Sequence, residues 1–292
     1  MKRKITLKPR VWELDVLRGI SILMVIWDHF MIDCAYIFGS LWIDSGNLPL
    51  TNLAHFAQTY HNSELRAGGW IAFTFIFFFV SGMCISFSRN NFLRGLKLLF
   101  VALLVTLVTY ILELLGMGRI TITFGVLHCL SLCILIFAGL DFLSGLILKL
   151  FKNIEDPTRI KKYLTSALCL VGFALGLTFH FLYNTDITLP NFPATSYTGG
   201  IKGMFIYTKD WWQTTADYFP LLPFLPYFLL GAALSPFLYP NKKSLLPKLD
   251  GKWHYVLSFP GRYSLWIYLA LQVIMFPVLG GITWAVTGVF PF

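Results

Sequence analysis

The sequence predicts an all-α integral membrane protein with about seven transmembrane helices, a cytoplasmic N-terminus and an extracytoplasmic C-terminus. Composition is the first observation: 57% of the 292 residues are hydrophobic, 13% are charged, and the mean hydropathy is +0.69. Soluble domains carry about 25% charged residues, so this chain cannot cover a water-facing surface. That excludes soluble domains, disorder, fibrous repeats and nucleic-acid binding, and it predicts one transmembrane domain over residues 1–292.

The second observation is the spacing of the apolar windows, because a span needs about 20 mostly apolar residues. Seven windows qualify, at residues 16–36, 70–88, 96–115, 121–148, 163–183, 219–239 and 263–287. The fourth is long and contains Asp141. A span followed by an interfacial helix is therefore an alternative to one helix there.

The third observation is the distribution of cations. If the basic tail 1–13 is cytoplasmic, 18 of the 23 lysines and arginines lie on that side and 4 on the other. This asymmetry predicts the orientation given above. Two long extracytoplasmic loops then follow, at 37–69 and 184–218. Their aromatic residues argue against disorder, and they predict either a folded cap over a cavity or interfacial aromatic packing.

The first span carries an ionisable stripe on an otherwise apolar helix. Arg18 and His29 share a helix face about 16 Å apart along the axis, with Asp15 one turn before Arg18 and Asp33 one turn after His29. Such groups are expensive inside a membrane and indicate function. The stripe must face protein or water rather than lipid.

The two ends of the stripe predict different chemistry. Arg18 suits a phosphate or a carboxylate, and an ion pair with Asp15 is its structural alternative. His29 beside Asp33 suits general base catalysis, because a carboxylate holds the imidazole in one tautomer; a structural histidine is the alternative. Asp28 points about 100° away, toward a different helix, and we include it in the catalytic set.

These residues resemble a known family. Arg18, ten residues and His29 match the R-x10-H pattern of membrane acyltransferases. The first span is similar to that of bacterial relatives of heparan-alpha-glucosaminide N-acetyltransferase. Four more segments are similar and lie in the expected order: FFFVSGMCISFSR at 77–89, TFGVLHCLSLCIL at 123–135, ADYFPLLPFLPYFLLGA at 216–232 and GRYSLWIYLALQ at 261–272.

The resemblance implies acyl transfer across a bacterial cytoplasmic membrane. Acyl-CoA, most simply acetyl-CoA, would bind from the cytoplasm, and the acyl group would pass to a hydroxyl or amine of an extracytoplasmic saccharide or glycoconjugate. His29 would be the base of a direct transfer, with an acyl-histidine intermediate as the alternative, and Arg18 would be a CoA-side or structural residue. Relatives often have a histidine before the glutamine of the last span, where this chain has Leu271. A homodimer is a further expectation.

Three residues are assigned to the acyl-CoA side, namely Arg18, Asp15 and His128. For His128, which lies inside the fourth span, a hydrogen bond to a backbone carbonyl is the alternative.

Four residues are assigned to binding of the acceptor, namely Asp217, Tyr218, Tyr268 and Gln272. Tyr268 and Gln272 share a helix face, and Asp217 is equally suited to a plain helix N-cap. The sequence shows no metal-ligand spacing, so no metal is expected. A second hypothesis is a proton-coupled transporter that uses Asp28, His29 and Asp33 as a relay.

Overall fold

The protein is a bundle of helices that crosses a membrane seven times. The structure, a computed structural model, describes residues 11–116, 120–151, 155–183, 202–207 and 215–289. Seven helices in these ranges are long and apolar enough to span a bilayer: Trp12–Ile37, Glu64–Phe87, Asn91–Leu114, Val126–Lys149, Pro157–Leu182, Leu221–Leu238 and Ser264–Thr287. The predicted all-α architecture with seven spans is confirmed.

The helices are numbered in chain order. They are α1 (Trp12–Ile32, continued by a π-helical turn at Asp33–Ile37), α2 (Gly39–Asp44), α3 (Leu48–His61), α4 (Glu64–Met83, continued by a 3₁₀ turn at Cys84–Phe87), α5 (Asn91–Leu114), α6 (Val126–Lys149), α7 (Pro157–Tyr183), α8 (Lys202–Phe205), α9 (Leu221–Leu238), α10 (Tyr255–Arg262) and α11 (Ser264–Thr287).

The first predicted loop, 37–69, is folded. It contains α2 and α3, and Asn47 caps α3 by accepting a hydrogen bond from the Leu50 amide at 3.3 Å. The indole of Trp42 is fully buried and donates to Thr283 Oγ1 of α11 at 2.8 Å. Of the second predicted loop, 184–218, most lies outside the described residues.

Glycines let two pairs of helices approach closely. A Cβ atom on Gly82 of α4 would overlap the carbonyl oxygen of Phe228 in α9, and one on Gly231 would overlap that of Phe79. The same relationship joins α1 and α10, because a Cβ on Gly19 would overlap the Leu257 carbonyl oxygen. Small residues at helix crossings are a common way to pack helices in lipid.

Two non-helical segments enter the bundle. Residues 121–125 and 215–219 pair side by side, and the Phe219 amide donates to the Phe124 carbonyl at 3.1 Å. The Phe219 ring lies 6.1 Å from Trp70 and 6.2 Å from Phe78, both well inside α4. Because these segments enter the bundle, α6 and α9 begin inside it. Their first residues, Val126 and Leu221, come later in the chain than the predicted windows, which start at 121 and 219.

The fourth span is one continuous helix, α6. Asp141 lies in it without interrupting it, because its carboxylate accepts a hydrogen bond from Lys161 Nζ of α7 at 2.7 Å. The alternative of a span followed by an interfacial helix is not adopted.

Candidate active site

A cavity of about 1490 Å³ runs through the bundle, lined by residues of α1, α3, α4, α5, α6, α7, α9, α10 and α11. Its wall includes Arg18 and His29. The two residues that define the R-x10-H spacing therefore face one continuous space. A pocket for a drug-sized molecule measures about 300–1,000 Å³, so this one has room for a larger ligand.

Cations gather where α1 begins. We call this region of the cavity the basic end; its wall carries Arg18, Arg89, Arg94, Lys97 and Arg262. Arg18 Nη2 lies 3.0 Å from Cys84 Sγ, and Arg94 Nη1 lies 3.5 Å from the Cys84 carbonyl oxygen. Within the described ranges, only Arg262 of these five forms an ion pair. Four cations thus remain available to an anion.

Asp15 does not pair with Arg18. Its Oδ2 accepts from Arg262 Nε at 3.1 Å, and Asp15 is not among the residues that line the cavity. This contact holds α10 against α1, and the assignment of Asp15 to the acyl-CoA side stays a prediction.

The His29 ring is oriented by its own helix. Its Nδ1 lies 2.9 Å from the carbonyl oxygen of Val25. A carbonyl only accepts, so Nδ1 carries the proton and donates it. Nε2 then holds the lone pair. In the described part of the chain Nε2 has no hydrogen-bond partner, and it is not among the fully buried unpaired atoms.

Asp33 lies behind the cavity wall. Its side chain is 2% exposed, and its Oδ2 has no hydrogen-bond partner among the described residues. It lies one helical turn after His29, but the His29 ring bonds to Val25 and not to Asp33. The ring is turned back toward Val25, one helical turn before His29, whereas Asp33 lies one turn after it.

Asp28 binds α4, as its direction on the helix predicted. Arg66 Nε donates to Oδ1 at 2.8 Å, and Nη2 donates to Oδ2 at 2.9 Å. Both oxygens are engaged, so the structure favours a positioning role over the predicted catalytic one. Tyr60 of α3 lies against this pair, and its pKa is raised by burial and then by the Asp28 charge.

Arg66 is the functional candidate that sequence reasoning missed. It is 5% exposed and lines the cavity, yet it falls in the predicted loop 37–69. An arginine within a turn of an apolar window, opposite an unpaired aspartate in another span, is the signal that would have found it.

The two non-helical segments, residues 121–125 and 215–219, position a second carboxylate on the cavity wall. Asp217 Oδ2 accepts from the Val126 amide at 2.9 Å and from the Tyr268 hydroxyl at 2.7 Å. Gly125 is required beside it, because a Cβ there would overlap Oδ2. Asp217 Oδ1 has no hydrogen bond within the described ranges and is not fully buried. Asp217 thus caps α6, not its own helix, and its second oxygen has no partner among the residues that the structure describes.

Tyr268 and Tyr218 also line the cavity. The Tyr218 hydroxyl shares its hydrogen between two carbonyl oxygens, that of Gly203 at 2.8 Å and that of Ile206 at 2.9 Å. The Gln272 side chain lies outside the described residues.

His128 is not on the wall of this cavity. Its Nδ1 accepts from the Gly125 amide at 3.3 Å, so Nε2 carries the proton and donates to Thr106 Oγ1 at 3.1 Å. Thr106 in turn donates to the Ile122 carbonyl at 2.6 Å. These bonds hold His128 away from the basic end, since its partner Thr106 lies about 18 Å further along α5 than Arg94. The assignment of His128 to the acyl-CoA side stays a prediction.

No group of three or more histidine, cysteine, aspartate or glutamate side chains in the described ranges is arranged to hold a metal ion. The site combines a cationic cluster, the imidazole of His29 and the two carboxylates of Asp28 and Asp217.

Comparison with known proteins identifies the family. The family model described as heparan-alpha-glucosaminide N-acetyltransferase, catalytic, matches residues 10–273, which include Arg18, His29 and Asp217. Searches of curated proteins and of solved structures return no match. Proteins of this family are membrane acetyltransferases that use acetyl-CoA as donor. The chain belongs to the family of heparan-alpha-glucosaminide N-acetyltransferase catalytic domains.

Proposed function

We propose that this protein transfers an acyl group, most simply acetyl, from acyl-CoA at the basic end of the cavity to a hydroxyl or amine of a saccharide or glycoconjugate. His29 is the general base. The observation that carries the proposal is that Arg18 and His29 line one cavity, with the proton-bearing nitrogen of His29 turned to Val25 and the basic nitrogen left accessible.

The basic end fits the donor. The phosphates of CoA carry several negative charges, and arginine forks bind phosphate with two parallel hydrogen bonds. Arg18 and Arg94 both contact Cys84, and neither is neutralised by a carboxylate in the described ranges. From Arg18 to His29 is about 16 Å along α1, roughly the reach of a pantetheine arm, which brings the thioester toward the base.

The reaction is a direct transfer. The acceptor oxygen or nitrogen bonds to the acyl carbon while its proton passes to His29 Nε2. The carbon–sulfur bond of the thioester then breaks, and the departing thiolate takes the proton back from the imidazolium. Asp33, one helical turn after His29, is proposed to stabilise the positive charge that the ring carries during transfer, while the Val25 carbonyl fixes the ring.

The acceptor is proposed to bind along Asp217, Tyr218 and Tyr268. Asp217 Oδ1 accepts no hydrogen bond from the described residues, and two donors hold its carboxylate still, which suits the hydroxyl or amine hydrogens of a sugar. Farther along the wall, the rings of Trp27 and Tyr60 lie edge to face with centroids 6.0 Å apart. Aromatic side chains present an apolar face with a polar edge, as a sugar ring does.

The basic end is proposed to face the cytoplasm of a bacterial cell. The excess of cations predicted on that side supports this orientation, and so does the cytoplasmic supply of acyl-CoA. A homodimer remains a prediction from sequence.

The proton-relay transporter receives less support. It requires Asp28, His29 and Asp33 to exchange protons, but their side chains form no hydrogen bonds to one another in the described part of the chain. Asp28 is bound by Arg66, and Asp33 lies off the cavity wall.

The test uses purified protein in liposomes with labelled acetyl-CoA and a panel of amino sugars and neutral sugars. We expect one mole of CoA released for each mole of acetylated acceptor. Uptake of a sugar without CoA release would instead establish transport, and failure to bind acetyl-CoA would overturn the proposal. Adding acetyl-CoA to one side of the liposomes at a time tests the orientation independently.

A further inference from the structure

The connection between α9 and α11 combines lysines with exposed apolar side chains. Residues 241–253 hold four lysines and one aspartate. Between and after the lysines, large apolar side chains stand out from the surface, among them Leu245, Leu249, Trp253, Val256 and Phe259. Trp253 is 62% exposed and Val256 75%. We call residues 241–259 the lysine–tryptophan segment.

The segment is firmly attached to the start of α1. Glu13 accepts hydrogen bonds from the Leu245 amide at 2.7 Å and from Ser244 Oγ at 2.9 Å. The Trp12 indole donates to the Leu246 carbonyl at 3.2 Å and stacks on the His254 ring at 4.7 Å. The apolar side chains are therefore held outward by a fixed backbone.

No acidic side chain in the described ranges neutralises the four lysines of this segment. Lys242, Lys243, Lys248 and Lys252 are exposed and form no ion pair within the described ranges. The one aspartate, Asp250, is bound to His254 at 2.9 Å. None of the four lysines lines the cavity, so they are not part of the proposed donor site.

We infer that the lysine–tryptophan segment lies in the membrane interface at the basic end and binds the headgroups of anionic phospholipids. Cationic and apolar side chains alternate, which is the composition of interfacial segments on anionic membranes. A tryptophan half in lipid and half in water is favoured at this depth. The lysines extend their ammonium groups to the phosphates, and their stems with the leucines enter the acyl boundary.

Anionic lipid fits the segment better than water or a soluble anion. A soluble phosphate would use the lysines but leave five large apolar side chains in water, and exposed apolar clusters normally mark a binding surface. A neutral bilayer would cover the apolar side chains but leave four cations without counter-charges. Each lysine near an anionic leaflet strengthens membrane binding by roughly fivefold.

The test measures contact between Trp253 and chosen lipids, without turnover. Wild-type protein and Trp253→Phe are placed in nanodiscs that contain either brominated phosphatidylglycerol or brominated phosphatidylcholine at the same mole fraction. Bromine quenches an indole only on contact, so the difference between the two proteins reports Trp253. We expect stronger quenching by the anionic lipid, and a loss of this preference at high salt.

A matched pair of variants identifies the lysines. Lys242→Gln/Lys248→Gln is expected to lose most of the preference for the anionic lipid, whereas Lys149→Gln/Lys162→Gln, which removes two exposed lysines from other segments, is expected to keep it. Equal thermal unfolding of the two variants shows that both fold. Equal quenching by both lipids, or no quenching by either, would overturn the inference.

Discussion

Asp28 and Arg66 join α1 to α4 through two parallel hydrogen bonds, Nε to Oδ1 at 2.8 Å and Nη2 to Oδ2 at 2.9 Å. The pair stands one residue from His29, and its side chains are 15% and 5% exposed. It fixes the position of the proposed base relative to the helix that forms the facing wall of the cavity.

Removing one partner of this pair is expected to cost more stability than removing both. Asp28→Leu or Arg66→Met leaves a poorly solvated charge unpaired, which costs about 3–5 kcal/mol, whereas Asp28→Leu/Arg66→Met leaves none. Thermal unfolding of the four proteins in one detergent measures the coupling. Strictly additive losses would show that the two charges act independently.

The crossing of α4 and α9 is expected to reject a methyl group. Gly82→Ala places a Cβ against the Phe228 carbonyl, so the helices must move apart at a cost of about 1–3 kcal/mol. Gly139→Ala is the control, because a Cβ there meets nothing within 4 Å, and helix propensity favours alanine by up to about 1 kcal/mol. Chemical denaturation should give opposite signs; equal stability of the two variants would contradict the crossing.

Local signals predicted most of the fold. Each span is marked by about 20 mostly apolar residues, and the sequence contains seven such windows. The start of α6 was misplaced because residues 121–125 are apolar too, and composition cannot tell a helix from a buried extended segment. Pairing with residues 215–219, some ninety positions away, determines which one forms.

The site was predictable where it depends on one helix. Arg18 and His29 share a face by helical periodicity alone. Their partners were not predictable, because Asp15 binds Arg262, which is 247 positions distant. His29 hydrogen-bonds to a main-chain carbonyl. The pattern of side chains along the sequence does not predict a contact of that kind.

Neutralising an arginine at the basic end is expected to weaken donor binding. A hydrogen bond to a charged group contributes about 1.5–3 kcal/mol, so Arg18→Gln or Arg94→Gln should lower CoA affinity about 10-fold to 100-fold. Titration calorimetry with CoA measures it. Arg159→Gln, which removes an exposed arginine away from the cavity, is the control. Unchanged affinity in both cavity variants would place the donor elsewhere.

Loss of the Tyr268 hydroxyl is expected to affect the acceptor more than the donor. Tyr268→Phe removes one of two donors that hold the Asp217 carboxylate, at a cost of about 1.5–3 kcal/mol. We expect a higher KM for the acceptor and an unchanged affinity for CoA. Tyr163→Phe, on the outer surface of α7, is the comparison. An equal loss of affinity for both substrates would indicate general loosening of the fold.

The central claim, that His29 is the base, is tested by chemical rescue. General bases contribute about 10²–10⁴-fold to rate. We predict that His29→Ala binds acetyl-CoA normally, loses acetyl transfer by that factor, and recovers part of it when imidazole is added. His55→Ala, which alters an exposed histidine of α3, should transfer at the wild-type rate. A His29→Ala protein that transfers acetyl at the wild-type rate, or that stays inactive at every imidazole concentration while binding the donor, would contradict the account.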